Sequence, residues 1–202
     1  MPDKFISPLF YCDLFTKKNV GTEKQRKVLL DKINYLKKNN IDSVGGSNEG
    51  CFRSTYEYGE ELDWLRETIR DFIVEISEFY IKYDEAYKTQ LSQEKQQVDM
   101  SFWTNANEPG SINVLHSHKG ESFACTYNLQ TEGTGNLVFR NPANTLNDCN
   151  SKSPFVRYMS IEPKDGDLLV WPAWIPHEVE INKSDKQRIN IASNIKLVGA
   201  KE

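Results

Sequence analysis

The second half of the chain consists of short runs of β-branched and aromatic residues separated by turn residues. These runs predict eight strands, at 98–104, 111–118, 122–130, 136–140, 155–161, 167–172, 177–181 and 187–197. Segments such as NEPG and PKDG, which are rich in turn-forming residues, separate them. Because no helical period interrupts the strands, the pattern favours a β-sandwich or barrel such as a jelly roll.

The first half contains two amphipathic helical patterns. Residues 22–38 begin with Thr22 and Gln25 in the spacing of a capping box, and apolar residues then recur every three or four positions. The second pattern has the same spacing at Leu62, Leu65, Ile69, Phe72, Ile76, Phe79 and Tyr83. Each helix has one apolar face, so we expect both to pack against one sheet. Residues 40–57 lack a period and are predicted to form a long surface loop.

A length of 202 residues suits one hydrophobic core of ordinary size. We therefore predict a single domain at 1–202, with mostly helical support at 1–97 and the β core at 98–197. The net charge of -4 is spread over interspersed lysines and acids, so no basic patch indicates nucleic acid. No run approaches the roughly 18 apolar residues of a membrane span.

The cysteines and the N-terminus bear on the cellular compartment. The four cysteines are widely spaced and form no CxxC pair, which favours free thiols in a reducing cytosol. The first residues carry charges and lack the apolar run of a signal peptide. We therefore expect a cytoplasmic protein with no membrane partner, and the residues predict no particular oligomeric state.

The three histidines of the chain all fall in the β half. His116 and His118 are two residues apart on a predicted strand, so their side chains share one face. Neutral imidazole suits iron, zinc, copper and nickel, and such a pair provides half of a metal site. His177 closes the segment DLLVWPAWIPH, in which two prolines stiffen the approach to the histidine. This joint pattern favours one metal site that uses all three histidines.

Arg188 opens the amphipathic strand RINIASNIKL, eleven residues after His177. Isoleucines and a leucine line one face of that strand, whereas Arg188, Asn190 and Asn194 line the other. The polar face lies either in solvent or inside the mouth of a barrel. In the barrel mouth, the guanidinium would bind a carboxylate through two hydrogen bonds, and the nearby His177 favours this interior position.

These motifs together resemble the iron(II)- and 2-oxoglutarate-dependent oxygenases, in particular a bacterial and phage branch of that superfamily. The family's HxD/E motif, distal histidine and following arginine match HSH at 116–118, His177 and Arg188. Further blocks resemble that branch in the same order along roughly residues 98–197: NVLHSHKGESFACTYNL, GNLVFRNP, WPAWIPHEV and RINIASN. The resemblance implies a mainly β fold, with a double-stranded β-helix (jelly roll) core and N-terminal supporting α-helices.

The resemblance also implies an activity and the residues that serve it. The cofactors would be Fe(II) and 2-oxoglutarate, with O2 as a second co-substrate, in an oxidoreductase that hydroxylates an unknown substrate. A peptidyl or prolyl substrate is the analogy within the family. His116 and His177 would bind the iron, and Arg188 would bind the distal carboxylate of 2-oxoglutarate. Polar contacts to the co-substrate would come from Tyr127, Asn194 and Asn113. A phage-encoded protein would act in the host cytoplasm.

His118 departs from the family pattern, because the usual facial triad has a carboxylate at that position. Three interpretations follow. His118 is itself the third ligand of a neutral three-histidine set, or Glu121 supplies a carboxylate while His118 stands outside the ligand set, or the metal is zinc, for which three histidines form a catalytic set. We favour the first, because the spacing of His116 and His118 directs both rings to one point.

Two other functions fit the same residues. One is a cupin-like metalloenzyme with a three-histidine metal and no 2-oxoglutarate, which would leave Arg188 without a task. The other is a non-enzymatic jelly-roll binding or virion module, whose histidines hold a structural metal or none. Either one predicts that 2-oxoglutarate is not turned over.

Overall fold

The computed structural model describes residues 12–39, 48–54, 59–83, 96–142 and 157–199. Within these ranges the chain forms two α-helices and nine strands, and a short 3-10 turn at Glu60–Leu62 leads into the second helix. In chain order the elements are β1 (Phe15–Lys17), α1 (Glu23–Lys38), β2 (Asn48–Arg53), α2 (Asp63–Tyr83), β3 (Gln96–His116), β4 (Phe123–Gln130), β5 (Leu137–Arg140), β6 (Tyr158–Ile161), β7 (Leu168–Pro172), β8 (His177–Val179) and β9 (Arg188–Gly199).

The strands form one curled sheet in which every pairing is antiparallel. One half of the sheet has the order β1-β7-β4-β9-β3, and the other half continues from β3 through β8 and β5 to β6. Strand β3 belongs to both halves, because Gln96 to Asn107 pair with β9 whereas Asn113 and His116 pair with β8. The predicted mainly β fold with a double-stranded β-helix core is confirmed.

Both predicted helices are confirmed, and they lie on the first half of the sheet. Their apolar faces share one core cluster with residues of β3, β4, β7 and β9. Buried members from the helices are Leu29, Ile33, Leu65, Ile69, Phe72, Ile73 and Ile76, and those from the sheet include Phe102, Tyr127, Leu168, Ile189, Ile191 and Ile195. Burying these side chains removes two apolar helix faces and one sheet face from water, which stabilises this packing.

A capping box fixes the start of α1. The Gln25 backbone N–H donates to Thr22 Oγ1 at 3.2 Å, and the Thr22 backbone N–H donates to Gln25 Oε1 at 2.8 Å. We expect Thr22→Ala to lower the free energy of unfolding by about 1 kcal/mol, because it leaves an N-terminal N–H of the helix without its acceptor. Urea unfolding measures this loss. Lys24→Ala, an exposed change in the same turn, is the control, and an equal loss there would contradict the assignment.

The structure differs from the sequence prediction at two places, at residues 107–110 and within the predicted loop at 40–57. The NEPG turn at 107–110 does not end a strand; β3 bends there, with Gly110 at a φ of 86° and its N–H bonded to the Asn182 carbonyl. The predicted loop at 40–57 contains β2, which pairs along β3. Pairing with β3 overrides the weak strand propensity of NEGCFR. The rest of that predicted loop, apart from Ser54, lies outside the described residues.

Three of the four cysteines lie within the described residues. Cys12, Cys51 and Cys125 are free cysteines. Neither α1 nor α2 combines the length and the apolar character needed to cross a membrane.

Candidate metal and co-substrate site

The three histidines meet where β3 lies beside β8. His116 and His177 are direct partners across these two strands, so their side chains project from the same face, and their ring centroids are 4.3 Å apart. His118 follows the end of β3, and its ring centroid lies 5.1 Å from each of the other two. The candidate ligand nitrogens all lie within 4.8 Å of one another. One metal ion could therefore contact all three rings.

Backbone hydrogen bonds orient two of the rings. His116 Nδ1 lies 2.8 Å from the Val114 carbonyl, and His177 Nδ1 lies 2.9 Å from the Ile175 carbonyl. A carbonyl oxygen can only accept, so each Nδ1 carries the proton and each Nε2 keeps a lone pair. His118 Nε2 lies 3.2 Å from His177 Nε2. The Nε2 atoms of His118 and His177 are close enough to share one metal ion, and the bonds to the two carbonyls hold the rings of His116 and His177 in place.

Burial keeps the three imidazoles neutral at pH 7. It lowers the pKa of His177 to about 3 and that of His118 to about 4, and it also lowers the pKa of His116. The positive charge of Arg53 adds to the lowering for His116 and His118. Metal binding requires neutral imidazole, so these rings need not lose a proton to bind an ion.

Arg188 enters the same region from the first residue of β9. Its side chain is 2% exposed, and Nη1 donates to the Gly135 carbonyl at 2.8 Å. Burial lowers its pKa to about 10, which still leaves the guanidinium charged at pH 7. Within the described ranges, Arg188 Nε has no hydrogen-bond partner. A buried cation with an open donor is a binding group for a carboxylate.

Gly135 fixes the carbonyl that holds Arg188. Its φ is 99°, a conformation that side chains rarely adopt, and a Cβ at this position would lie 2.7 Å from the Glu180 carbonyl oxygen. A larger residue would therefore move this turn. The orientation of Arg188 depends on the turn between β4 and β5 as well as on β9.

A cavity of ≈ 250 Å³ connects the histidines with Arg188. The polar face of β9 lines this cavity, so that face lies inside the barrel and not in solvent. Asn190 and Asn194 lie there with Arg188. Asn113 of β3 lines it as well. Asn190 Nδ2 donates to Thr126 Oγ1 at 2.9 Å. The predicted residues Arg188, Asn194 and Asn113 are thus brought together around one cavity.

Tyr127 is not part of this cavity, and the predicted co-substrate contact is wrong. The tyrosine hydroxyl donates to the Val20 carbonyl at 2.7 Å, and its ring packs edge-on against Trp64 at 5.8 Å. The neighbouring Thr126 lines the cavity, and successive side chains of a strand point to opposite faces. Tyr127 therefore faces the helices, a result that the alternation of β4 could have indicated.

We expect Tyr127→Phe to lower the free energy of unfolding by about 1 kcal/mol, because one buried hydrogen bond is lost. The Val20 carbonyl keeps a second donor, Arg26 Nη1 at 3.2 Å, which limits the loss. The affinity for 2-oxoglutarate should stay unchanged. Urea unfolding and a binding titration measure both quantities. A large loss of 2-oxoglutarate affinity in a stable variant would show that Tyr127 reaches the co-substrate after all.

Glu121 is not a member of the histidine cluster. Among the described residues, the cluster of candidate ligands consists of the three histidines, and Glu121 does not line the cavity. His118 instead stacks on Trp103, with ring centroids 5.9 Å apart. This geometry favours His118 over Glu121 as the third ligand.

Other residues of the cavity wall were not assigned to a site from the sequence. Trp103, Trp171 and Arg53 all line the cavity. Trp171 packs edge-on against His177 at 4.9 Å, and its Nε1 has no partner among the residues that the structure describes. Arg53 was missed because its segment was predicted to be a surface loop. Its pairing with β3 could not be found from local composition.

Solved structures similar to this chain include two prolyl hydroxylases. The prolyl hydroxylase from Trichoplax adhaerens, in complex with a hypoxia inducible factor peptide fragment, is 13% identical, with a TM-score of 0.63; the match covers 91% of this chain and 83% of that one. The viral collagen prolyl hydroxylase from Paramecium Bursaria Chlorella virus-1 is 14% identical, with a TM-score of 0.54 over 98% and 100% of the two chains. At these identities the likeness shows the fold.

A third similar structure contains a metal and the co-substrate. HygX from Streptomyces hygroscopicus, with nickel, 2-oxoglutarate and hygromycin B bound, is 10% identical, with a TM-score of 0.57, and 91% of this chain and 82% of that one are covered. Comparison with curated protein sequences gives no match.

The family model described as "Putative 2OG-Fe(II) oxygenase" matches residues 101–194. This segment contains the three histidines, Arg188 and most of the strands that enclose the cavity. Over these residues the chain is similar to the 2OG-Fe(II) oxygenases, which confirms the resemblance noted from the sequence.

Proposed function

We propose that this oxygenase hydroxylates a peptide, at proline, with iron bound by His116, His118 and His177 and 2-oxoglutarate bound by Arg188. The match to the 2OG-Fe(II) oxygenase model supports a 2-oxoglutarate-dependent oxidoreductase with Fe(II) as its metal. The observation that carries the residue assignment is the shared cavity. It joins three neutral imidazoles to a buried arginine whose Nε has no partner in the described ranges.

The residues present fit Fe(II) and 2-oxoglutarate. Imidazole nitrogen is a suitable ligand for Fe(II), and His116 and His177 already present Nε2 with a free lone pair. Arg188 offers the charge and the open donor that a carboxylate needs. A neutral ligand set leaves the full positive charge of the ion in the cavity, which favours an anionic co-substrate beside it.

When bound, Fe(II) and 2-oxoglutarate supply the oxidising chemistry, with conversion of 2-oxoglutarate to succinate and CO2 and transfer of one oxygen atom to the substrate. The protein residues bind, orient and exclude water. The Nδ1–H bonds to the Val114 and Ile175 carbonyls keep two rings from turning. Arg188, itself held by the Gly135 carbonyl, fixes one end of the co-substrate. Apolar side chains, among them Leu137 and Trp171, limit water in the cavity.

Similar structures support the peptide class. One of them binds a peptide, and two others are a bacterial prolyl-4-hydroxylase and a viral collagen prolyl hydroxylase. We place the enzyme in the cytoplasm, where free cysteines such as Cys51 and Cys125 stay reduced. A cupin-like enzyme without 2-oxoglutarate would give the buried Arg188 no function.

Anaerobic titration with Fe(II), followed by 2-oxoglutarate, tests the co-substrate site. We expect a weak visible charge-transfer band to appear on addition of 2-oxoglutarate. Admission of O2 with a proline-containing peptide should then release succinate and give a peptide 16 Da heavier, as hydroxylation requires. Iron binding without the charge-transfer band would reject 2-oxoglutarate as the co-substrate and favour the cupin-like enzyme. Succinate release without any effect of peptides would reject the peptide class alone.

A further inference from the structure

The turn at 131–135, between β4 and β5, holds the side chain of Arg188. Arg188 Nη1 donates to the Gly135 carbonyl at 2.8 Å and to Thr134 Oγ1 at 3.4 Å. Thr134 is 1% exposed, and its Oγ1 donates in turn to the Thr131 carbonyl at 2.6 Å. The orientation of the guanidinium therefore depends on the shape of this turn.

Asp165 fixes the turn from a distant part of the chain, between β6 and β7. Its Oδ1 accepts hydrogen bonds from the Thr131 backbone N–H at 2.6 Å, from Thr131 Oγ1 at 3.0 Å and from the Glu132 backbone N–H at 3.3 Å. Bonds to an ionised carboxylate are roughly twice as strong as bonds between neutral groups. Thr131 is fully buried, so removal of the carboxylate would leave its polar groups in the interior without this acceptor.

Backbone hydrogen bonds anchor the segment that carries Asp165. The Gly166 N–H donates to the Asn128 carbonyl at 2.8 Å, and the Asn128 N–H donates to the Asp167 carbonyl at 3.0 Å. These two bonds attach the residues beside Asp165 to strand β4. The carboxylate is therefore held in place independently of the bonds that it accepts from the turn at 131–135.

The charge of Asp165 also acts on Arg188. Burial lowers the pKa of Arg188, and the negative charge of Asp165 opposes that lowering. Asp165 is exposed, so water and salt weaken this effect. Asp165 does not line the cavity either, so it does not occupy the place where a carboxylate would meet the guanidinium. The hydrogen bonds to the turn are therefore its main route to Arg188.

We propose that Asp165 is a positioning residue for the co-substrate: through the turn at 131–135, it holds Arg188 in the orientation that binds the distal carboxylate of 2-oxoglutarate. This inference rests on the proposed function and adds to it a residue outside the cavity. Paired bonds between a guanidinium and a carboxylate need a defined geometry, so a displaced guanidinium binds the carboxylate less tightly.

Anaerobic titration of the Fe(II)-loaded protein with 2-oxoglutarate compares two substitutions of Asp165. Asp165→Ala removes the acceptor, and we expect the affinity for 2-oxoglutarate to fall about tenfold while Fe(II) affinity stays within about twofold of the wild type. Asp165→Asn keeps an oxygen acceptor at the same position and should keep most of the affinity. Asp71→Ala, which changes an exposed acid on α2, is the control and should behave as the wild type. An equal loss in Asp165→Asn and Asp165→Ala would overturn the role of the turn.

A double substitution separates positioning from a general loss of stability. In the Arg188→Met variant, Asp165→Ala should not weaken 2-oxoglutarate binding any further, because the arginine through which it acts is absent. Equal weakening with and without Arg188 would overturn the proposal. Tyr127→Phe, which also loses a buried hydrogen bond, is the comparison for stability, since its 2-oxoglutarate affinity should stay unchanged. Urea unfolding measures the stability of each variant.

NMR of the arginine side chains tests the positioning without metal or co-substrate. In 15N-labelled apo protein, the Nε–H signal of Arg188 is identified by its absence from Arg188→Met. We expect its exchange with water to be slow in the wild type and in Asp165→Asn, and about tenfold faster or more in Asp165→Ala. An unchanged exchange rate in a folded Asp165→Ala variant would overturn the proposal. A wild type that binds no 2-oxoglutarate would instead reject the proposed function, and the exchange rates would still show whether Asp165 holds Arg188.

Discussion

His177→Ala is expected to lose tight Fe(II) binding, by more than about 100-fold, and with it the turnover of 2-oxoglutarate. Loss of an outer partner of a metal ligand alone costs about 10–100-fold in affinity, so removal of a direct ligand costs more. His177 is 4% exposed and its Nδ1 is fixed by the Ile175 carbonyl, so no neighbouring ring can replace it. Competition with a coloured chelator measures the affinity, and succinate release measures the turnover.

A matched series at His118 identifies the third ligand. His118→Ala should lower Fe(II) affinity about 10-fold or more, whereas His118→Asp should keep binding, because a carboxylate at this position restores two histidines and one acid. Glu121→Gln is the control, since that residue lies outside the cluster of candidate ligands. Unchanged affinity in His118→Ala, with a loss in Glu121→Gln, would assign the third ligand to the glutamate.

Arg188→Met is expected to weaken 2-oxoglutarate binding by about 100-fold while Fe(II) affinity stays close to that of the wild type. Hydrogen bonds to a charged group contribute about 1.5–3 kcal/mol, and the methionine keeps most of the side-chain volume while it removes every donor. Arg188→Lys should recover only part of the affinity, because one ammonium group cannot form the paired bonds of a guanidinium. Anaerobic titration with 2-oxoglutarate gives the affinity of each variant for this co-substrate.

The control for Arg188 separates a binding defect from a folding defect. Arg188 also bonds the Gly135 carbonyl, so its replacement leaves a backbone acceptor unpaired and lowers stability. Unfolding in urea measures that loss directly. A folded Arg188→Met variant with normal 2-oxoglutarate affinity would contradict the assignment and favour an enzyme that lacks this co-substrate.

Periodicity predicted the parts of the fold in which one face is buried and the other is not. The helix at 23–38 and strand β9 follow their apolar patterns, because burial of one face sets both the helical and the strand period. Strand β2 has no such pattern. It forms by pairing with the distant β3, and local composition contains no information about that partner.

The same distinction explains which residues of the site could be predicted from the sequence. His116, His177 and Arg188 were found because their spacing matches a family motif, and the structure brings them to one cavity. Arg53 lies in a segment without a motif, so only the sheet register reveals its position. Tyr127 was assigned from the family resemblance, but its hydroxyl bonds the Val20 carbonyl on the side of the sheet that faces the helices.

The double membership of β3 has a consequence for the order in which the protein folds. Its first part pairs with β9, the last strand of the described chain, and its end places His116 beside His177. Such contacts between distant segments close large loops, form slowly, and depend on long-range topology. The three histidines are therefore together only once the chain has closed on itself. A metal ion bound by them would stabilise the finished fold by mass action and would not contribute to the earliest steps of folding.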